Sequence, residues 1–410
     1  MQDTQLYQQI LGLVAPWRVT GVTMKYAERT IEVAVACDEQ VWGCPTCGQR
    51  AHVHGYETRR WRHLDSCQFR TILVAEVPRV KCEEHGTVTV QVPWAEKHSR
   101  FTAFFERLAI DVLLDCSIRG AQKLLGISWD EAAGIKARAV ARGLARRKSE
   151  PMPRLCVDEK SFGKGHDYVT VVVQANAKAT VTHIADGRTT ESLNGFWRSL
   201  TPGQLAGVEA VSMDMWEPYL LSTQGHVPGA EHKIAHDPFH LVKHLSDAVN
   251  KVRIAEHRTL MEMGDDRLKG SKQLWLYGYE NVPERWDERL TELKAQKLKT
   301  SKAWMLKEYF RDLFACQTLA EAQSFFRSWY SWAIRCQLKP IQRVARMFQR
   351  HRERILNYFV HRLTNGASEG INNKIQSLIK KAYGYRNRER FKADIFFHCG
   401  GLDLYPALSQ

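Results

Sequence analysis

Between residues 151 and 240 the chain runs through apolar and amphipathic stretches in an order that few folds accept. Strand-like runs at 154–158, 167–174 and 179–185 follow one another closely, as in a meander. Two more, at 208–213 and 231–236, come later, with helical patterns near 189–200 and 217–224 between them. This order predicts a mixed α/β sheet rather than a purely parallel one.

Two of these runs end in an acid. Asp158 closes Arg154-Leu-Cys-Val-Asp158, and Asp214 closes Val208-Glu-Ala-Val-Ser-Met-Asp214. A third acid, Glu369, lies in Thr364-Asn-Gly-Ala-Ser-Glu369-Gly-Ile-Asn-Asn-Lys, at the start of a basic helical pattern over 366–382. Acids at adjacent strand ends, joined by one from a helix laid across them, can surround a pair of divalent ions. Such a pair cuts and joins phosphodiester bonds. Hard Mg²⁺ prefers oxygen ligands, so Asp158, Asp214 and Glu369 are the expected Mg²⁺ ligands as well as the catalytic residues. Glu159 is a rival for Asp158, because alternation along a strand turns only one of the two toward a given face. Asp237, in His236-Asp-Pro-Phe-His240, is a rival third acid, and Glu369 could simply be a first-turn acid favoured by the helix dipole.

Residues 1–98 alternate in the strand manner, as in Ile31-Glu-Val-Ala-Val and Thr71-Ile-Leu-Val-Ala-Glu-Val, and carry two knuckles, Cys44-Pro-Thr-Cys47-Gly and Cys82-Glu-Glu-His85-Gly. The two-residue gap lets both ligands of a knuckle grip one tetrahedral ion. A strand pair between the knuckles would bring Cys44, Cys47, Cys82 and His85 together as a closed structural Zn²⁺ site. His52, His54 and Cys67 compete for the fourth position, and a redox-active pair is the competing chemistry. Between the knuckles, Arg59, Arg60 and Arg62 flank Trp61, a pattern suited to DNA backbone contact or to a plain solvated hairpin face.

From 99 to 150 the pattern turns helical. Ser117 to Ala132 reads as a helix, a tight turn at Gly126 and a second helix capped by Ser128 with Glu131 completing a capping box. Ala121, Leu124, Leu125 and Ile127 are expected to pack the corner, and Lys136, Arg138, Arg142 and Arg146 to meet DNA. Glu150-Pro-Met-Pro153 is the clearest linker. Residues 241–362 carry long amphipathic patterns without strand signals, and 363–410 adds helices at 366–382 and 388–398. Asn372, Asn373, Lys374, Lys380 and Arg386 surround Glu369 in sequence and would hold DNA beside the metals, with Tyr383 and Tyr385 as stacking surfaces.

A formal charge of +14 over 410 residues suits a polyanionic partner, nucleic acid before membrane. No apolar run approaches the ~20 residues of a membrane span, and the first residues lack a signal-peptide pattern, so a cytoplasmic location is expected. The ten cysteines do not form a secreted framework.

Taken in order, these motifs, together with Val157-Asp-Glu-Lys-Ser-Phe, Ser212-Met-Asp-Met-Trp-Glu-Pro-Tyr, Ala235-His-Asp-Pro-Phe-His-Leu-Val-Lys and Ala382-Tyr-Gly-Tyr-Arg, resemble the ISL3 family of bacterial insertion-sequence transposases over nearly the whole chain. The resemblance implies a multidomain α/β protein. Its parts would be a β-rich zinc-binding domain (1–98), a helix-turn-helix domain (99–150), and an RNase H-like catalytic core (151–240 and 363–410) interrupted by an all-helical insertion (241–362). It assigns the DDE acids to Asp158, Asp214 and Glu369 and leaves Asp237 and His240 without a role. It implies two Mg²⁺ ions, replaceable by Mn²⁺, one structural Zn²⁺, and hydrolysis at the element's ends followed by attack of the freed 3′-hydroxyls on target DNA. The partners implied are the terminal inverted repeats, the target duplex and a second copy of the chain on DNA, at the bacterial nucleoid. The competing reading is a domesticated transposase acting as a non-catalytic zinc and helix-turn-helix regulator. The presence of all three acids counts against it.

Overall fold

The computed structural model describes residues 2–163, 165 and 167–408. It falls into two compact units, Met1–Lys148 with Lys380–Gln410, and Ser149–Ile379.

The first unit opens with a helix, α1 (Asp3–Ile10), and a sheet of β1 (Trp17–Lys25), β2 (Thr30–Cys37), β3 (Val41–Gly43), β4 (Arg50–Arg62), β5 (Arg70–Cys82) and β6 (Gly86–Thr89). The order is β1-β2-β5-β4-β3, with β6 paired to the end of β5. β2 and β5 run parallel, while β4 and β5 form a long antiparallel pair from Val53↔Val80 to Arg62↔Ile72. Alternation in β5 sends Thr71, Leu73, Ala75 and Val77 inward, where they join Val33, Val35, Trp17, Trp61 and Trp94. The three indoles pack edge-to-face around Trp94, at 4.9 Å from Trp17 and 5.4 Å from Trp61.

Three helices follow: α2 (Ala103–Asp115), α3 (Ile118–Leu125) and α4 (Trp129–Ala145). Gly126 ends α3 in the left-handed region (φ 63°), which a residue without Cβ reaches at no steric cost. Ser128 caps α4, its hydroxyl accepting from the Glu131 amide while the Glu131 carboxylate accepts from the Ser128 amide at 2.7 Å. Ala121, Leu125 and Ile127 pack the corner as expected. Leu124 does not: it is 69% exposed, one helical step round from the buried pair.

The second unit holds β7 (Arg154–Ser161), β8 (Tyr168–Gln174), β9 (Thr180–Asp186), α5 (Thr190–Ser199), α6 (Pro202–Ala206), β10 (Ala210–Met213), α7 (Glu217–His226), α8 (Ala230–Lys233) and β11 (Ile234–His236). The five strands order as β11-β10-β7-β8-β9. β7, β8 and β9 are an antiparallel meander, and β10 and β11 join parallel to β7. The mixed sheet read from the sequence is thus present. The last strand is shorter than expected, because residues Ala230–Lys233 form a one-turn helix that leaves Glu231 and His232 exposed. Both faces of β7 and β10 are buried, with Leu155, Val157, Val211 and Met213 packed on Leu193, Phe196, Trp197 and Tyr219.

After β11 come α9 (Pro238–Glu262), α10 (Glu284–Ala295), α11 (Lys299–Arg311), α12 (Leu319–Arg335), α13 (Lys339–Arg350) and α14 (Arg352–His361). They share one core around Trp275, Phe310, Phe326, Trp329 and Phe348. α15 (Gly366–Lys381) follows. The last helix, α16 (Arg388–Cys399), belongs to the first unit, where Phe397 packs on Ile135, Ala139 and their neighbours. Residues 363–410 were expected to stay together; instead the chain changes units between Ile379 and Lys380. Besides that apolar packing, α16 is held there by a buried ion pair between Lys136 Nζ on α4 and Asp394 Oδ1 at 3.0 Å, backed by Tyr385 Oη donating to Asp394 Oδ2 at 2.7 Å.

Candidate active site and metal centre

Asp158 and Asp214 sit side by side because of a register. β7 and β10 are parallel with Val157 opposite Met213, so the next residue of each brings the two acids to neighbouring positions. Asp214 follows the end of β10, but Asp158 does not close its strand as expected: pairing with β8 carries β7 on to Ser161, and Asp158 lies within it opposite Val171. Asp158 Oδ1 accepts the Glu159 amide at 2.8 Å. Its Oδ2 accepts from Asn372 Nδ2 at 2.7 Å and Ser368 Oγ at 3.4 Å. Ser368 and Asn372 are one helical turn apart on α15, so this face of α15 lies against β7, and Glu369 is in its first turn. Glu369 is exposed.

The neighbouring Glu159 goes elsewhere. It pairs with Arg188 at 3.2 Å, and the Arg188 guanidinium lies between the rings of Tyr168 and Trp216, at 4.4 and 4.5 Å. Strand alternation therefore separates the two acids as it should.

Asp214 Oδ1 accepts the Met215 amide at 2.6 Å, and Oδ2 meets His240 Nδ1 at 3.3 Å. His244, one turn further along α9, lies 3.9 Å from Oδ1. The surroundings push the two carboxyls apart. Burial raises Asp158 above the usual carboxylate range. Burial would raise Asp214 too, but the His240 hydrogen bond and charge outweigh it and hold it down to about 2. His240 is raised in turn by Asp214.

Asp237 is buried, and each of its oxygens accepts a main-chain amide. It caps α9 by accepting the His240 amide at 3.4 Å, and it accepts the Asn365 amide at 3.0 Å. Ser368, His244 and Lys160, whose Nζ donates to the Asn372 carbonyl at 3.3 Å, were missed by sequence reading. The spacing of Ser368 from Asn372 and of His240 from His244, four residues each, was the available signal.

The second cluster is in the first unit. Cys44 and Cys47 lie in the turn after β3, Cys82 ends β5, and His85 lies in the turn before β6. The glycine that follows each knuckle, Gly48 and Gly86, takes a positive φ (78° and 65°), which turns each loop back on its ligands. The four ligand atoms all lie within 4.8 Å of one another. Cys47 Sγ is 3.6 Å from Cys82 Sγ, and His85 Nδ1 is 3.6 Å from Cys82 Sγ and 3.9 Å from Cys44 Sγ. A tetrahedron of bonds near 2.3 Å has edges of about 3.8 Å, so the spacing suits one Zn²⁺. It is far too long for a disulfide. The amides of Cys47 and Thr46 hold the Cys44 thiol down to about 6, favouring the thiolate a metal needs. Cys44, Cys47, Cys82 and His85 are the group so assembled among the described residues; His52, His54, Cys67 and the three carboxylates form no such group.

Several cations expected on DNA are occupied within the first unit. Lys136 is buried against Asp394. Arg138 Nε donates to Glu106 at 2.9 Å, and Arg142 bridges Glu96 at 2.6 Å and Glu106 at 3.1 Å. Arg62 pairs with Asp65 at 2.5 Å and lies over the Phe105 ring. Lys136, Arg138 and Arg142 are taken up because α4 packs against acids of α2, of α16 and of the segment before α2, whereas Arg62 on β4 meets the acid three residues further on. Asn372 is likewise turned to Asp158, and Tyr385 to Asp394, rather than outward. Arg146 is exposed but held by Asp403 at 2.9 Å, and Arg59 and Arg60 pair with Glu57 and Glu32. Asn373, Lys374, Lys380 and Arg386 are exposed.

No helix among the described residues is long and apolar enough to cross a membrane. The family model described as a transposase, of the ISL3 group, matches residues 155–395. Residues 40–85 match the zinc finger of the transposases of IS204, IS1001, IS1096 and IS1165, and residues 90–140 match the helix-turn-helix domain of transposase family ISL3. The transposase for insertion sequence element IS1001 of Bordetella parapertussis is 27% identical over 400 residues, which span 95% of this chain and 97% of that protein. The transposase for insertion sequence element IS1557 of Mycobacterium tuberculosis is 29% identical over 370 residues, 84% of this chain and 82% of that protein. The chain belongs to the ISL3 family of transposases, with a zinc-ribbon and a helix-turn-helix region ahead of its transposase domain.

Proposed function

We propose that this transposase binds the terminal inverted repeats of its element and catalyses DNA cleavage and strand transfer through Asp158, Asp214 and Glu369. The observation that carries this reading is the register that sets Asp158 beside Asp214, with Glu369 one position from the serine that touches Asp158. The strand order, a three-stranded meander extended by two parallel strands, supports an RNase H-like core, and α9 to α14 then read as its helical insertion.

The donor set suits Mg²⁺, because the acids offer hard oxygens and no thiol takes part. Asp158, Asp214 and Glu369 would hold two such ions, with Mn²⁺ as a substitute. When bound, Mg²⁺ supplies positive charge to the attacking and leaving oxygens of the phosphodiester exchange. The chain's own contribution is orientation. Asn372 and Ser368 fix the outer oxygen of Asp158, the Met215 amide and His240 fix Asp214, and the first turn of α15 presents Glu369 to solvent, where a duplex can reach it. Asn373, Lys374, Lys380 and Arg386 supply donors on and after that helix. The zinc-ribbon and helix-turn-helix regions, with Arg59 and Arg60 outward on β4, recognise the repeats, and two copies of the chain pair two ends.

The test is strand cleavage and joining on a labelled duplex carrying the element's end, with Mg²⁺, for wild type and for Asp158→Asn, Asp214→Asn and Glu369→Gln. Wild type nicks the end and joins it to target DNA, while each variant binds and does neither. Variants as active as wild type would overturn the assignment. Tight end binding without any cutting by wild type would favour the non-catalytic regulator.

A further inference from the structure

From Ala322 to Arg352 the sequence holds seven lysines and arginines and no acid. Four of these cations lie on α13: Lys339, Arg343, Arg346 and Arg350. Their spacing of four, three and four residues places them within about 60° of arc on one face of a helix. All four are exposed. The opposite face carries Ile341, Ala345 and Phe348, each fully buried in the core of the helical segment.

The α13 cations differ from those of α4 and from Arg59 and Arg60. Those of α4 are occupied by Glu96, Glu106 and Asp394, and Arg59 and Arg60 are paired with neighbouring glutamates. Like charges three and four residues apart repel and destabilise a helix by a few tenths of a kcal/mol per pair. An acid on this face would relieve that repulsion, and α13 contains none.

We propose that the outer face of α13, formed by Lys339, Arg343, Arg346 and Arg350, is a second DNA-backbone contact surface, separate from the helix-turn-helix region and from the residues around Glu369. The stripe is about 16 Å long at 1.5 Å per residue. Duplex DNA presents about one phosphate charge per 1.7 Å of axis, so the stripe spans some nine or ten phosphates. Three arginines at one-turn spacing give forked donors suited to phosphate oxygens. A membrane surface fits less well. An amphipathic helix binds lipid by inserting its apolar face, and here that face is filled by the protein's own core. With no aromatic side chain on the stripe itself, the contact reads backbone and not sequence. The inference rests on the reading that this transposase works on duplex DNA.

The experiment measures binding of the full chain to a labelled duplex of random sequence, by fluorescence anisotropy across a salt series. Arg343→Gln, Arg346→Gln and Arg350→Gln are combined in one protein. A charge-matched control combines Lys178→Gln, Lys272→Gln and Lys297→Gln, three exposed lysines on separate loops. Three lost phosphate contacts flatten the slope of log K against log salt by about 2 to 3. The α13 triple is expected to show that change and at least a fivefold weaker affinity near 0.1 M salt, with the control close to wild type. Replacing the same arginines by lysine restores most of the slope, and unchanged thermal unfolding excludes misfolding as the cause. A triple with wild-type slope, or one matched by the control, overturns the proposal while leaving the acid assignment untouched. That assignment is judged separately, by cleavage with the acid variants.

Discussion

The carboxylate of Asp237 accepts the main-chain amide of Asn365 at 3.0 Å, across a sequence gap of more than a hundred residues. Its other oxygen caps α9 at His240, and Asn365 in turn accepts the Glu369 amide at 2.7 Å. One buried acid therefore ties the helix that holds Asp214 through His240 to the helix that carries Glu369. Asp237→Ala is expected to slow end cleavage at least tenfold and to cost about 1–3 kcal/mol of stability, with end binding retained. Single-turnover cleavage alongside anisotropy separates these effects. Cleavage at the wild-type rate would remove the positioning role.

The metal centre gives a second expectation. One Zn²⁺ per chain should copurify, and Cys82→Ser should lose it, because a structural site with three ligands no longer closes. Elemental analysis reads the stoichiometry directly. Chelation should also lower the unfolding temperature of the wild type and leave that of Cys82→Ser almost unmoved. A metal-free wild type with equal stability would exclude a structural zinc.

Much of this site was legible because its signals are local. The strand meander, Asp214 at the end of its strand and the knuckles with their glycines all depend on neighbours within a few residues, and each is present in the structure; Asp158 instead lies inside β7, because pairing with β8 carries the strand past it. What the sequence hid depends on long-range packing. Lys136, Arg138 and Arg142 read as free cations of a basic helix, yet acids more than thirty residues away fold onto them. Nothing in α4 alone tells a phosphate ligand from an internal ion pair. The return of α16 to the first unit was invisible for the same reason: its anchor, Asp394, reads as an ordinary surface acid until Lys136 is beside it. Asp237 looked like a third metal ligand because a strand precedes it, and only the amide of Asn365 shows where its oxygens go.

The ion-pair cluster of α2 and α4 provides a sharper test of that correction. Glu106 is almost fully buried between Arg138 and Arg142, and its Oε1 also accepts from Ser99 Oγ at 2.8 Å. Removing one member strands the others, which typically costs about 3–5 kcal/mol. Glu106→Gln and Arg142→Ala should each lower stability on that scale in chemical denaturation. At temperatures where Arg142→Ala remains folded, the salt dependence of its DNA binding should match wild type. A flatter slope at unchanged stability would return Arg142 to the DNA-contacting set.

Acidification should loosen the first unit through its buried histidines. Burial lowers His63 to about 4, with its Nδ1 2.9 Å from Thr102 Oγ1, and burial beside Lys136 lowers His398 to about 4. In the unfolded chain each returns to the usual 6.5. Between these values the unfolded state binds the proton and the folded state does not, so stability falls as pH drops from about 6.5 toward 4 and is level above that window. Each histidine contributes a slope of at most about 1.4 kcal/mol per pH unit there. Urea unfolding followed by tryptophan fluorescence at pH 7.5, 6 and 5 measures it, since Trp17, Trp61 and Trp94 report on this unit. In His63→Gln the curve should be flatter over the same range, because one of the two protons is no longer taken up. An equally steep loss in that variant would mean that His63 is charged in the folded protein, with Thr102 and the start of α2 arranged around an imidazolium.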